Sequence, residues 1–154
     1  MGKVIQVSQP HAPGAAPAYT TYTYDARGRT LRMVKPDNST TTYSYAGNTT
    51  TVLDAVGSAS GANDKAGHWK MFTTDALGNL TQVTEADPAA TPLPALPSFN
   101  LSGCDTATTG YHKTCYSYNA MNKLTLVKMP RSEATQTRTF NYESNGVRLV
   151  IGDN

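Results

Sequence analysis

Asp25 and Asp75 are the side chains with the strongest claim on chemistry. Two carboxylates can share general-acid and general-base work when a fold brings them together. Each, however, sits in the same local frame, Tyr22-Thr23-Tyr24-Asp25-Ala26-Arg27-Gly28-Arg29 and Phe72-Thr73-Thr74-Asp75-Ala76-Leu77-Gly78-Asn79. An aspartate that opens a turn bonds the backbone two residues on, and a glycine three residues later supplies the left-handed conformation. Turn formation therefore explains both carboxylates, and catalysis is not expected of them. Cys104 and Cys115 are the only cysteines. They form a disulfide if the parent protein is exported, or stay as two free thiols if it is not. His112 is near, but without Cys-x-x-Cys spacing or a fourth ligand no metal site is expected. The His68-Trp69 pair suggests ligand stacking, or a Trp69 that begins the strand to Phe72 and packs on a neighbouring sheet. His11 and His112 read as solvated loop residues. No serine sits in a Gly-x-Ser-x-Gly elbow, and no glycine-rich phosphate loop is present. Neither an enzyme nor a cofactor is expected.

The elements that hold these residues repeat. Weaker copies of the frame return as Tyr116-Ser117-Tyr118-Asn119-Ala120-Met121-Asn122-Lys123 and Phe140-Asn141-Tyr142-Glu143-Ser144-Asn145-Gly146, with a half copy at Tyr43-Ser44-Tyr45. Such self-similarity signals stacked supersecondary units. Residues two apart on a strand share a face, so Tyr22 and Tyr24 stand side by side. The chain then reverses, Arg29 to Lys35 runs back, Pro36-Asp37-Asn38-Ser39 turns again, and Thr40 to Tyr45 goes out. The 23 threonines and 9 tyrosines suit half-buried strands, and no stretch has sustained apolar residues at helical spacing. The fold class expected is all-β, an antiparallel meander of repeated hairpins.

The pattern Tyr-x-Tyr-Asp-x-x-Gly-Arg, a short strand, Pro-Asp-x, then Tyr-x-Tyr resembles the YD repeat of the RHS family, which includes bacterial Rhs proteins, the C component of insecticidal toxin complexes and teneurins. The best copies are Tyr22 to Lys35 and Thr74 to Thr84. Gly2-Lys3-Val4-Ile5-Gln6-Val7 reads as the second strand of a further unit. Asn119 and Glu143 replace the aspartate, and Asn122 replaces the glycine. Asparagine tolerates the left-handed region, whereas glutamate is a poorer turn former. The resemblance implies a β-shell segment whose sheet closes around a cavity, enclosing a C-terminal toxin or effector of a secreted or cell-surface protein. The positions it implies as structural are Tyr22, Tyr24, Asp25, Gly28, Arg29, Tyr43, Tyr45, Asp75, Gly78, Tyr116, Tyr118 and Tyr142. Arg29 is expected to pair with a carboxylate across units.

The repeat segment is taken as residues 1–154, with inserts at about 54–68 and 85–113. The first insert is rich in small polar residues and reads as a loop tip. The second opens with Pro88, Pro92, Pro94 and Pro97, which favour extended backbone outside a ladder, and ends at the cysteines. No capping unit is legible at either end, so a fragment of a longer chain is expected, with neighbouring repeats, and an encapsulated toxin domain, as its partners. Its cut sheet edges could drive self-association. The formal net charge of +2 is scattered, so nucleic-acid binding is not expected. No apolar run approaches the ~20 residues of a membrane helix, and no signal peptide is legible in this segment. One functional alternative stays open: the tyrosines could form an exposed platform for carbohydrate binding or adhesion, instead of locking neighbouring hairpins together.

Overall fold

In a computed structural model the described residues are 2–56, 69–87, 90, 103–143 and 149–153. They contain strands and turns and no helix. The strands are β1 (Gln6–Ser8), β2 (Tyr19–Tyr24), β3 (Thr30–Val34), β4 (Thr40–Ala46), β5 (Thr49–Val56), β6 (Trp69–Thr74), β7 (Leu80–Ala86), β8 (Tyr111–Tyr118), β9 (Leu124–Pro130), β10 (Thr135–Tyr142) and β11 (Leu149–Asp153). All lie in one sheet in sequence order, every neighbouring pair antiparallel. This is a pure meander, as tight turns at nearly every step dictate. The sheet does not close on itself, so β1 and β11 are its edges.

The strands extend into both inserts. β5 continues to Val56, β7 to Ala86, and β8 starts at Tyr111, since an aromatic residue such as Tyr111 suits the pleated ladder better than a loop. Residues 57–68, including His68, lie outside the described residues, as do 88–89, 91–102 and the Asn145-Gly146 turn. His112 is a strand residue and not a loop residue. It is half-buried on β8, with Nε2 3.5 Å from Asp87 Oδ1.

Burial concentrates on one face of the central strands. Two cross-strand rungs show why it is polar: Thr51–Met71–Thr84–Lys113 and Thr73–Gln82–Cys115–Lys128. Gln82 Nε2 donates to Thr84 Oγ1 at 2.9 Å, satisfying two buried groups with each other. The apolar cluster is small, made of Trp69, Met71 and Ala86 with Tyr111 packed against it. Trp69 begins β6 as expected, but among the described residues no second sheet receives it. It crosses small Ala86 on β7 to meet Tyr111 on β8, the ring centroids 5.9 Å apart at an angle of 50°. A face so poor in apolar area leaves stability to ladders, turns and links between hairpins.

Candidate functional site: the ladder of links between repeat units

Three hairpin ends have one geometry. Asp25 Oδ1 accepts from Arg27 N and Arg29 N, Asp75 Oδ1 from Leu77 N and Asn79 N, and Asn119 Oδ1 from Met121 N and Lys123 N, all at 2.9–3.0 Å. The backbone adds a matching pair in each: Asp25 N to Arg29 O and Gly28 N to Asp25 O, repeated at Asp75 and at Asn119. The residue three after the opener is left-handed every time, at φ 77° for Gly28, 86° for Gly78 and 62° for Asn122. Asparagine holds this position because its short polar side chain lowers the cost of the conformation. Each turn is preceded by the same register shift, at Thr23/Tyr24, Thr73/Thr74 and Ser117/Tyr118, a bulge that sharpens the local twist. The Lys35–Ser39 turn at the opposite end of the sheet reuses the backbone pattern, with Asn38 at φ 64°.

The second oxygen of the aspartate separates the copies. Asp25 Oδ2 takes Arg29 Nε at 2.7 Å, and Asp75 Oδ2 takes Asn79 Nδ2 at 2.9 Å. Bonds donated by Arg29, backbone first, hold the Asp25 carboxyl below its ordinary pKa of 3.8, and bonds donated by Asn79, side chain first, lower that of Asp75. Both carboxylates are spent on their own turns, as turn openers, and belong to separate hairpins. Arg29 therefore pairs within its own unit and not with a carboxylate of the next, because the turn brings Asp25 to it locally.

What does cross between units is the second tyrosine of each frame. Tyr24 Oη donates to Val4 O at 2.7 Å, Tyr45 to Thr30 O at 2.8 Å, Tyr118 to Leu80 O at 2.9 Å and Tyr142 to Leu124 O at 2.9 Å. Three of the acceptors are equivalent: Thr30, Leu80 and Leu124 each follow by two the left-handed Gly28, Gly78 or Asn122 of the preceding turn, and Val4 follows Gly2 at the same spacing. The residue between is Lys3, Arg29, Asn79 or Lys123. Where it is cationic it lies over the ring of the incoming tyrosine: Lys3 over Tyr24 at 5.8 Å, Arg29 over Tyr45 at 4.1 Å and Lys123 over Tyr142 at 5.1 Å. Where it is Asn79, its amide reaches Asn122 of the next turn instead. At the fifth step Thr74 stands for the tyrosine, and its Oγ1 donates to Asn48 O at 3.2 Å. Desolvation by burial, with Asp75 nearby, raises the Tyr118 phenol above its ordinary value, so it remains a donor at neutral pH.

These links leave the tyrosines poor material for an open platform. Tyr24, Tyr45 and Tyr142 each have one ring face under a cation and a hydroxyl committed to backbone. Tyr22, Tyr43 and Tyr116, the first tyrosines of their pairs, are half-buried and take no part in the ladder. The half copy has only Gly47 and Asn48 between its strands, and the missing loop leaves an open notch lined by Asp25, Ala26, Arg27, Arg29, Tyr45 and Gly47.

Away from the ladder, Cys104 and Cys115 are joined in a disulfide with Cα atoms 6.1 Å apart. Among the described residues no group of three or more His, Cys, Asp or Glu is placed to hold a metal ion, and no helix is long and apolar enough to cross a membrane. The shared turns were legible from Asp, Asn and Gly spacing. Tyrosines that lock neighbouring hairpins were expected as cross-strand ring pairs; the hydroxyl link was missed because a phenol's acceptor is a backbone carbonyl, which leaves no mark in the sequence.

No protein-family model matches the chain, and no curated protein matches it. Among solved structures it is similar to the TcdB2-TccC3-Cdc42 crystal structure, at 16% identity and a TM-score of 0.44, over 92% of this chain and 8% of that one. It is also similar to TcdB2-TccC3 without its hypervariable C-terminal region, at 15% identity and a TM-score of 0.42, over 90% and 8%. The chain thus spans about 8% of the length of the structures it matches. An overlap at these scores carries no weight for function, and the repeat geometry stands on its own.

Proposed function

We propose that this chain is a non-catalytic wall segment of an RHS/YD-repeat shell belonging to a secreted or cell-surface protein. Its mechanism is steric: a continuous sheet separates an enclosed C-terminal toxin or effector from its surroundings. The observation that supports this most is the recurrence of one link, from Tyr45, Thr74, Tyr118 and Tyr142, each to the turn-exit backbone of the preceding hairpin, with Tyr24 bonding Val4 at the matching spacing from Gly2. A device repeated at every step suits a protein whose task is to extend a wall. An active site would instead gather distinct side chains in one place. Among the described residues β1 and β11 each have one unpaired edge, which would permit pairing with other repeats or self-association.

The test uses the full product of the reading frame that contains this segment. Protease is added to the intact product and to its C-terminal region produced alone. Enclosure predicts that the region is degraded at least tenfold more slowly within the intact product. Equal rates would contradict the shell. The carbohydrate reading is tested in parallel on a glycan array, where the shell reading predicts no signal above control from this chain.

A further inference from the structure

Three consecutive residues at the end of the second insert are fastened to three residues of the sheet, each by a different bond. Gly103 O accepts from the ammonium of Lys113, Cys104 is bonded to Cys115, and Asp105 Oδ1 pairs with Lys128 Nζ at 2.6 Å. The three receiving side chains lie together, since Lys113 and Cys115 alternate onto one face of β8 and Cys115 is the cross-strand partner of Lys128. The fastening covers an ammonium that has little reason to be there. Lys113 is 1% exposed and, among the described residues, forms no salt bridge. Arg131 Nη1 donates to the Lys113 backbone carbonyl at 2.8 Å. Asp105 attracts the ammonium, but that carboxylate is 90% exposed and already paired with Lys128. Burial lowers the pKa of Lys113, which marks the ammonium as worse solvated here than in water.

Of the three fastenings, only the covalent one is strong without its neighbours. The Asp105–Lys128 pair is exposed and screened by salt, and the Lys113 bond competes with hydration of the ammonium. We propose that the Cys104–Cys115 disulfide is a redox-released catch: it holds the insert's end over Lys113, and a dithiol reductant frees that end and delivers the lysine to solvent. In the step a reductant thiolate attacks one sulfur and the Cys–Cys bond breaks. The second reductant thiol then resolves the mixed disulfide, leaving two cysteine thiols and an oxidised, cyclic reductant. The sheet itself is untouched, because its ladder does not pass through either sulfur. A protein folded in an oxidising compartment would keep the catch closed and open it on reaching a reducing one. The inference does not depend on the shell reading.

The test is amine acetylation of the whole chain with an N-hydroxysuccinimide ester, read by mass spectrometry before and after dithiothreitol. Lys35, which is exposed, is the internal reference, and iodoacetamide alkylation confirms that both thiols have formed. The catch predicts at least a tenfold rise in Lys113 labelling relative to Lys35, with hydrogen exchange in β2 to β4 unchanged. Lys113 equally protected in the fully reduced chain would overturn it. So would loss of protection throughout β2 to β4, which would make the bond a global staple. The Cys104→Ser chain, which needs no reductant, is expected to label at Lys113 as the reduced chain does; labelling at the oxidised rate would also overturn the proposal.

Discussion

The hairpin ends at Asp75 and Asn119 have the same backbone bonds, the same preceding bulge and the same left-handed fourth residue, yet they are built from different side chains. One uses a carboxylate with Gly78; the other uses a neutral amide with Asn122. Both openers put Oδ1 on two backbone N–H groups at 2.9–3.0 Å. The fold therefore requires an acceptor at the opener and tolerance of positive φ three residues on, and it does not require charge. The charge adds a second bond, from Asn79 to Asp75 Oδ2, which the amide nitrogen of Asn119 cannot accept.

The comparison breaks most readily at the left-handed residue. Gly78→Val should destabilise the chain by about 1–3 kcal/mol, because a branched residue is forced to positive φ. Gly28→Val should cost a similar amount, about 1–3 kcal/mol, although there a Cβ would also meet Lys3 Cε at 2.9 Å. That atom ends a flexible side chain and can move, so the two substitutions should agree closely in a thermal melt. A melt unchanged by either would refute the turn assignment. Asn119→Ala tests the opener. It strands two backbone donors and should cost about 1–2 kcal/mol by urea unfolding. A change near zero would mean that water replaces Oδ1 without loss. Asn122→Gly should stabilise by a few tenths of a kcal/mol to about 1, relief of left-handed strain outweighing the extra chain entropy. A loss of stability would show that the Asn79–Asn122 contact matters more than the backbone.

Acid separates the two turns without mutation. Asp25 and Asp75 have folded pKa values below the ordinary 3.8, so their contribution is present above the unfolded value and lost as pH falls through the folded one. Below about pH 4, amide exchange should accelerate at Arg27, Arg29, Leu77 and Asn79, after correction for intrinsic rates, while Met121 and Lys123 keep their protection because Asn119 does not titrate. Equal acceleration at all three turns would mean that global unfolding, and not carboxylate protonation, sets the acid limit.

How much of this was legible in the sequence follows from the range of each interaction. Asp25, Gly28, Asp75 and Gly78 act within five residues of chain, so spacing alone revealed the turns and the meander. Asn122 in a glycine's place was readable from its tolerance of positive φ. The partner of Arg29 was misplaced because a cross-unit carboxylate and a local one look alike in sequence; only the folded turn brings Asp25 within 2.7 Å of Nε. Trp69 meeting Tyr111 over Ala86 depends on three strands being in register, and His112 falls on a strand because β8 begins at the end of an insert. The tyrosine ladder was least legible of all. Its four phenols reach back 20, 15, 38 and 18 residues, and inserts of different length remove any fixed spacing.

The ladder is the centre of the account, and one pair of variants tests it. Tyr118 and Tyr116 lie two apart on β8 and are both half-buried, but only Tyr118 donates its hydroxyl to Leu80 O. Removing each hydroxyl by substitution with phenylalanine and measuring urea unfolding should give a loss of about 0.5–1.5 kcal/mol for Tyr118→Phe. Tyr116→Phe should stay within about 0.5 kcal/mol of the parent. Equal effects of the two substitutions would contradict the claim that the second tyrosine of each unit holds the wall together.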